Sequence, residues 1–214
     1  MKTCFTFLLL LIAGHSFAQQ KTQPHNYTII KLSEWIIPQT DTLNYAFDNY
    51  LGAKALILKR SIANYKSASV AYPKTLNFKD GVIELDIAAP TGKAGYVGLA
   101  FRIKDQHHYE ALYFRPGSSG TINAVQYMPE KKVEFNWWDY EATKYQAKAT
   151  LPLTAWFHVK AIVKGRNIAV FVNNQPKPVM VYNELDPDLK TGSAGFWLGN
   201  SSSGAYKNLT VQTF

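Results

Sequence analysis

The sequence predicts an all-β domain, built as a sandwich of two antiparallel sheets of the jelly-roll type. Runs of aromatic and β-branched residues recur at intervals of roughly ten to fifteen residues, which is typical of short strands. Turn-forming residues separate these runs, and no window shows a sustained helical period. Many short strands with such spacing favour a sandwich or a barrel. The turns are expected at 79–81, 90–92, 116–118, 172–174 and 200–204.

The expected strands follow one another with short connections. They lie at 27–32, 55–58, 68–71, 81–87, 96–103, 109–115, 124–128, 157–164, 167–172, 179–182, 192–198 and 205–213. The clearest pair is the hairpin formed by 157–164 and 167–172, because two alternating segments flank a turn at Gly165, Arg166 and Asn167. Asn173 and Asn174 open the next turn.

Three consecutive segments between Gly81 and Arg115 alternate in polarity and suggest where a ligand binds. In the first segment, Ile83, Leu85 and Ile87 face the core, so Glu84 faces outward. Alternation in the next two segments places arginine and tyrosine side chains on the face away from the core. We expect the three strands to be neighbours in one sheet whose outer face is polar and aromatic. Such a face suits a sugar better than a hydrophobic ligand or a phosphate.

The N-terminal residues predict export. Lys2 precedes an apolar run at 5–13, and the small residues Ser16 and Ala18 form a cleavage site before Gln19. We therefore expect a signal peptide at 1–18, a flexible arm at 19–26, and one domain at 27–214 in the periplasm or outside the cell. The chain's single cysteine would be lost with the signal peptide. The apolar run is too short for a transmembrane segment.

The net charge of +8 does not indicate a nucleic-acid partner. The basic residues are scattered, and the sequence has no basic stripe and no recognition helix. We interpret the charge as a solubility property.

The order of these segments resembles the concanavalin A-like lectin/glucanase superfamily over 27–214. The residues that carry the resemblance are GVIELDI, GYVGLAFRI, YEALYFRP, NAVQY, AWFHVKAIVKGRNIAVFVNN and GFWLG. Laminin-G-like domains, fructan-binding modules and 3-keto-disaccharide hydrolase-like domains are the most similar branches. The resemblance implies the sandwich fold and a carbohydrate or polysaccharide partner. It also allows a structural calcium ion, although no residues are predicted here as metal ligands.

The superfamily contains both enzymes and pure binders, so the resemblance does not decide the activity. Its retaining glucanases carry a Glu-x-Asp-x-x-Glu strand, in which two glutamates serve as nucleophile and acid/base. Here Glu84 and Asp86 match the first two positions, but Ala89 occupies the third. We therefore predict no catalytic residues, and a binding or structural role for Glu84.

A second group of candidate ligand residues lies on the segments that follow. The guanidinium groups of Arg102 and Arg115 offer planar paired donors to sugar hydroxyls, and the carboxylate of Glu110 accepts from them. Tyr109, Tyr113 and Arg115 share one face by alternation, whereas Glu110 lies on the other unless a bulge intervenes. The alternative is an ion pair between arginine and glutamate that ties adjacent strands.

Aromatic residues complete the predicted site. Trp137 and Trp138 are adjacent in a polar stretch, where core packing does not explain two indoles. One of them is expected to stack on a sugar ring, together with Tyr127. The prediction is therefore a non-catalytic, lectin-like domain that binds glycan on the concave sheet of the sandwich. The alternatives are a glycoside hydrolase or 3-keto-disaccharide hydrolase-like enzyme, with Glu84 paired with Glu110, Asp139 or His108, and an adhesion domain.

Overall fold

A computed structural model describes residues 24–27, 31–38, 43–61, 69–131 and 142–214. In chain order the strands are β1 (His25–Tyr27), β2 (Trp35–Ile36), β3 (Leu43–Tyr50), β4 (Ala53–Arg60), β5 (Ser69–Pro73), β6 (Gly81–Ala88), β7 (Val97–Asp105), β8 (His108–Phe114), β9 (Val125–Glu130), β10 (Gln146–Ala147), β11 (Phe157–Lys164), β12 (Asn167–Val172), β13 (Met180–Tyr182), β14 (Ser193–Leu198) and β15 (Ser203–Thr213). One short helix, α1 (Ala142–Tyr145), and 3-10 turns at Leu32–Glu34, Gly92–Ala94 and Pro116–Ser118 complete the described elements.

The strands form two antiparallel sheets that pack face to face. The first sheet has eight strands in the order β13-β12-β11-β6-β15-β4-β3, with β1 beside β15. The second sheet has seven strands in the order β10-β9-β8-β7-β14-β5-β2. The two sheets do not close into a barrel, so the predicted all-β sandwich is confirmed.

The core lies between the sheets and follows the predicted alternation. On β6, Ile83, Leu85 and Ile87 are fully buried, whereas Glu84 between them is half-buried on the outer face. Residues such as Phe101 on the second sheet fill the other side of this core. The periodicity of two therefore identified the inward residues of β6 correctly.

The predicted hairpin is confirmed. β11 pairs with β12 in continuous register, and Lys164 lies opposite Asn167, so the turn proper consists of Gly165 and Arg166. Gly165 has a φ of +59°, a left-handed conformation that glycine adopts without steric cost. Asn173 and Asn174 also have positive φ angles, of 51° and 55°, as the next turn requires.

The expectation that the segments between Gly81 and Arg115 are neighbours in one sheet is wrong. β6 lies in the first sheet, between β11 and β15, whereas β7 and β8 pair with each other in the second. The connection through the 3-10 turn Gly92–Ala94 carries the chain from one sheet to the other. Alternation specifies which residues face the core, but it does not distinguish the two sheets that cover that core.

The sequence analysis also missed β3. This strand is at the edge of the first sheet, and most of its side chains are exposed, so it lacks the apolar face that marks a half-buried strand. β3 joins β4 through Leu51 and Gly52, whose φ angles of 47° and 78° suit a tight hairpin turn. β1 begins at His25, where it pairs with Val211.

Candidate functional site

The structure brings together only parts of the predicted ligand set. Three members lie inside one end of the sandwich: Arg102, Glu110 and Tyr127. Two lie on the outer face of the second sheet: Tyr113 and Arg115. Glu84 lies on the outer face of the first sheet. The predicted pair Trp137 and Trp138 lies outside the described residues.

Arg102 points inward because a bulge interrupts β7. The register between β7 and β8 shifts after Phe101, and Arg102 has a φ of 50°. The expected outward position of Arg102 is therefore wrong, and the next residue, Ile103, packs on the outer face. A bulge inserts one extra residue and so reverses the alternation beyond it.

All five N–H donors of Arg102 are used within the protein. Nη1 donates to Glu110 at 3.0 Å, and Nη2 donates to Asp80 at 3.2 Å. The remaining hydrogen bonds go to backbone carbonyl oxygens of Lys79, Gly165 and Leu189. Arg102 is 3% exposed and has no donor left for a ligand, so its arrangement favours the strand-tying ion pair over sugar contact.

Glu110 is the carboxylate of this interior network. Its Oε2 accepts hydrogen bonds from the Tyr127 hydroxyl at 2.6 Å and from the Asp186 backbone N–H at 3.2 Å. Burial raises the pKa of Glu110 to about 7, against the opposing effects of Tyr127 and Arg102. Tyr127 is 1% exposed and packs on Tyr182 at 4.7 Å between ring centroids. The geometry therefore gives both residues a structural role, without a ring face for a sugar.

The outer face of the second sheet carries a separate buried cluster, which we call the aromatic face. Its members are Val70, Tyr72, Ala100, Ile103, Tyr109, Ala111, Tyr113, Met128 and Trp197. Tyr113 and Trp197 stack with ring centroids 4.8 Å apart and ring planes at 22°. Gly98 separates them in register, and a Cβ there would lie 2.3 Å from the Leu112 carbonyl oxygen. The sheet therefore has no room for a side chain at Gly98, beneath the two rings.

Arg115 and Tyr96 lie beside the aromatic face, and both side chains are half-buried. The Arg115 guanidinium carbon lies 5.1 Å from the centroid of the Tyr96 ring, and Tyr96 packs against the aromatic face. This cation–π contact fixes the plane of a guanidinium that solvent still reaches. Of the residues predicted from the sequence, Tyr113 and Arg115 are thus the pair that the structure places together on an outward surface.

Glu130 is a member of this surface that the sequence analysis missed. It ends β9 directly opposite Tyr109, so both side chains lie on the same face. Burial raises the pKa of Tyr109, the negative charge of Glu130 raises it further, and the Trp197 N–H and the charge of Arg60 lower it. Three polar groups from separate strands, those of Glu130, Trp197 and Arg60, therefore act on the Tyr109 hydroxyl. The alternation of Gln126, Met128 and Glu130 was the signal in the sequence that placed Glu130 on this face.

The outer face of the first sheet differs, because its charges are paired with one another. We call it the charged face; its members are Glu84, Asp86, His158, Lys160, Lys207 and Asn208. Both ring nitrogens of His158 face carboxylates, Nδ1 at 2.9 Å from Asp86 and Nε2 at 3.1 Å from Glu84. Lys160 lies 3.5 Å from the other Glu84 oxygen. Glu84 thus has a side-chain nitrogen beside each oxygen, from His158 at one and from Lys160 at the other.

The carboxylates considered for catalysis do not converge. Glu84 lies on the outer face of the first sheet, whereas the Glu110 carboxylate is enclosed between strands of the second. His108 pairs with Asp105 at 2.8 Å, and Asp139 lies outside the described residues. Within the ranges that the structure describes, no group of three or more His, Cys, Asp or Glu side chains is arranged to hold a metal ion.

Comparison with known protein families gives no match, and no curated protein matches the chain. Solved structures match in fold. The carbohydrate-binding module CBM66 from Bacillus subtilis is 14% identical, with a TM-score of 0.60 over 84% of this chain and 96% of that module. A Bacillus subtilis protein of unknown function with a galectin-like fold is 14% identical, with a TM-score of 0.58 over 85% of this chain and 90% of that one.

A third neighbour is the exoplasmic/lumenal domain of VIP36 in its form bound to Ca²⁺ and Man3GlcNAc. It is 9% identical and has a TM-score of 0.54, over 85% of this chain and 84% of that domain. Identities this low bear on the fold alone. The neighbours share the two-sheet sandwich that the strand order shows here. The protein therefore shares the two-sheet sandwich fold of these structures, which is the fold that the resemblance in its sequence implied.

Proposed function

We propose that this protein is an exported, non-catalytic carbohydrate-binding domain that holds glycans on the aromatic face. The observation that carries the proposal is the half-buried pair Arg115 and Tyr96, which lies beside the stacked rings of Tyr113 and Trp197 on the outer side of the second sheet. Tyr113 and Trp197 are only 5% and 4% exposed, so they support this surface from below, and Arg115 and Tyr96 are the side chains that a glycan reaches.

The chemistry of this surface suits a sugar. Arg115 offers several N–H donors in one plane, and its contact with Tyr96 orients that plane. Sugar hydroxyls accept from such donors, while the C–H face of a sugar ring packs on an aromatic ring. Affinity should be modest, because each hydrogen bond formed replaces one that the sugar made with water.

Two structural neighbours support the glycan class of ligand. CBM66 is by name a carbohydrate-binding module, and VIP36 is bound to Man3GlcNAc in its structure. A nucleic-acid partner is not proposed, because basic residues of the charged face such as Lys160 are already paired with carboxylates.

Export is proposed from the predicted signal peptide at 1–18. Among the described residues, no helix is long and apolar enough to cross a bilayer. Mass spectrometry of the protein from its native host should give Gln19 as the first residue. A mature chain that retains Met1 would contradict export through this segment.

The proposal is tested first by a glycan array that includes Man3GlcNAc and by plant polysaccharides, using the mature protein with and without EDTA. We expect binding to neutral glycans without release of any product. A drop in binding with EDTA would add a calcium ion to the site. Release of a reducing sugar or a keto-sugar, followed by mass spectrometry, would replace the non-catalytic proposal with the enzymatic alternative.

Arg115→Ala tests the location of the site. We expect at least about tenfold weaker glycan binding, because a charge-assisted hydrogen bond is lost, with an unchanged thermal unfolding midpoint. The matched control is Lys54→Ala, since Lys54 lies 6.0 Å from the Phe47 ring centroid in a similar contact on the first sheet. Equal affinity in both variants would place the glycan elsewhere, and loss of folding in Arg115→Ala would assign Arg115 to structure.

A further inference from the structure

The polar groups around Tyr109 include a carboxylate without a partner. Glu130 is half-buried, yet its carboxylate has no hydrogen bond and no ion pair with any residue that the structure describes. The other described glutamates, Glu34, Glu84, Glu110 and Glu184, each have a cationic group within 3.5 Å. Glu130 is thus the exception among them, and it lies on the aromatic face.

A donor without a partner lies in the same place. Trp197 is 4% exposed, and its Nε1 makes no hydrogen bond of ordinary geometry within the described part of the chain. The indole N–H is near enough to the Tyr109 hydroxyl to lower the Tyr109 pKa, but it does not form a proper hydrogen bond with it. The aromatic face therefore holds one acceptor and one donor, both unsatisfied and both close to Tyr109.

Unsatisfied buried polar groups cost free energy in the absence of a ligand. A hydroxyl group both donates and accepts, so one or two hydroxyls of a ligand satisfy the Glu130 carboxylate and the Trp197 N–H together. A second carboxylate, as in a uronic acid, would be repelled by Glu130, so the arrangement fits a neutral sugar.

We propose that the groups around Tyr109 form a glycan subsite, in which Glu130 accepts a hydrogen bond from a ligand hydroxyl, Trp197 donates one to a ligand oxygen, and binding is linked to release of a proton. The inference rests on the proposed glycan-binding function, and it adds the residues, the charge class of the sugar and the pH dependence. Glu130 and Trp197 are ligand-contacting residues in this subsite.

The direction of the pH dependence follows from the state of Glu130. Burial raises the pKa of Glu130 to about 7 in the free protein. A ligand hydroxyl that donates to the carboxylate stabilises its ionised form and lowers that pKa in the complex. Below pH 7 the bound sugar must therefore displace a proton, and affinity rises as pH rises towards 8.

The other charged groups near this subsite do not titrate in this range or are paired. Burial keeps Tyr109 protonated. Lys131 follows Glu130 in sequence but binds Asp186 at 2.8 Å, and its pKa is raised. The charge of Arg60 acts on Tyr109 and stays positive at neutral pH. Glu130 is therefore the group whose proton the sugar displaces.

The test is calorimetric titration of the mature protein with the neutral oligosaccharide that gives the strongest array signal, from pH 5.5 to 8.5, in two buffers of different ionisation enthalpy. For the wild type we expect affinity roughly tenfold higher at pH 8 than at pH 6 and proton release below pH 7. Glu130→Gln should bind with a flat pH profile, because its amide does not titrate. Glu184→Gln is the matched control, a paired and exposed glutamate, and should keep the wild-type profile.

The outcomes separate this inference from the function on which it rests. If a neutral glycan binds and Arg115→Ala weakens it, but Glu130→Gln keeps the wild-type pH slope, the subsite is wrong and glycan binding on the aromatic face stands. Absence of binding to every glycan at every pH would overturn the proposed function itself. Tighter binding of uronic-acid oligosaccharides than of their neutral counterparts would also overturn the subsite.

Discussion

Glu110 and Glu130 lie on neighbouring strands of the second sheet, and burial raises the pKa of each to about 7. Their surroundings are opposite. Glu110 is enclosed in the interior network, where Arg102, Tyr127 and the Asp186 N–H all donate to it. Glu130 lies on the aromatic face, and no donor contacts it among the described residues.

This difference shows that a raised carboxyl pKa does not by itself identify a ligand-binding residue. A buried carboxylate that is fully hydrogen-bonded holds strands together, and its displaced pKa is a by-product of enclosure. A carboxylate whose pKa is raised as much, but which has no partner, destabilises the protein, and a ligand that donates a hydrogen bond to it can remove this cost in free energy. The interior network and the aromatic face therefore predict opposite responses to mutation.

The largest expected effect is on the interior network. Arg102→Ala should lower the free energy of unfolding by about 3–5 kcal/mol, because it leaves the Glu110 carboxylate buried without its cation. Urea unfolding monitored by tryptophan fluorescence measures this. Arg166→Ala is the matched control, since its Nε donates to the Leu185 carbonyl alone, and it should cost about 1 kcal/mol. Equal losses would show that the network does not hold this end of the sandwich.

The next largest effect is expected at Gly98, which lies between Tyr113 and Trp197 in the sheet. Gly98→Ala should cost about 1–3 kcal/mol, because overpacking forces the backbone apart. A Cβ at Gly98 would lie 2.3 Å from the Leu112 carbonyl oxygen and 2.7 Å from the Tyr113 Cα. The shift should separate Tyr113 from Trp197 and reduce their near-ultraviolet circular dichroism. Ala111→Gly on the same face should leave that spectrum intact, and an intact spectrum in Gly98→Ala would contradict the packing.

A gain in stability is expected at Glu130. A carboxyl whose pKa is raised from 4.5 to about 7 by folding stabilises the native state below pH 4.5, and this contribution is lost as pH rises through 7. Glu130→Gln should therefore become more stable than the wild type as pH rises over this interval. The gain is below about 3 kcal/mol, since solvent screens a half-buried group. Thermal unfolding at pH 5 and pH 8 measures it, and a stability difference that does not change with pH would contradict the burial of this carboxylate.

The smallest effect is expected on the charged face. Lys160→Ala removes the partner of one Glu84 oxygen, but both side chains are partly exposed and His158 still faces the other oxygen. We expect a loss of less than about 1 kcal/mol, which shrinks further in 0.5 M NaCl as the pair is screened. If Lys160→Ala lowered the free energy of unfolding as much as Arg102→Ala does, paired surface charges would stabilise the fold as strongly as the interior network, contrary to this prediction.

Much of the fold was predictable because its determinants are local. The spacing of polar and apolar residues identified the core positions of β6, and Gly165 with its flanking strands identified the β11–β12 hairpin. These features depend on residues close together in the chain. The edge strand β3 escaped prediction because its side chains are exposed and carry no such pattern.

The candidate site was predictable only in part. Tyr113 and Arg115 were assigned to one face by alternation, and they lie on one face. Arg102 was assigned to the same surface, but the bulge after Phe101 turns it inward. A bulge depends on the register with the neighbouring strand, which no single segment specifies.

The sequence by itself thus determined the all-β class, the inward residues of β6 and the resemblance to the concanavalin A-like superfamily. Only the tertiary structure decided that β6 belongs to a different sheet from β7 and β8, and that Glu110 has donors where Glu130 has none. The physical reason is the distance along the chain between the residues that determine each feature. Side-chain periodicity is a property of one strand, whereas sheet membership, burial and hydrogen-bond partnership depend on residues far apart in the chain.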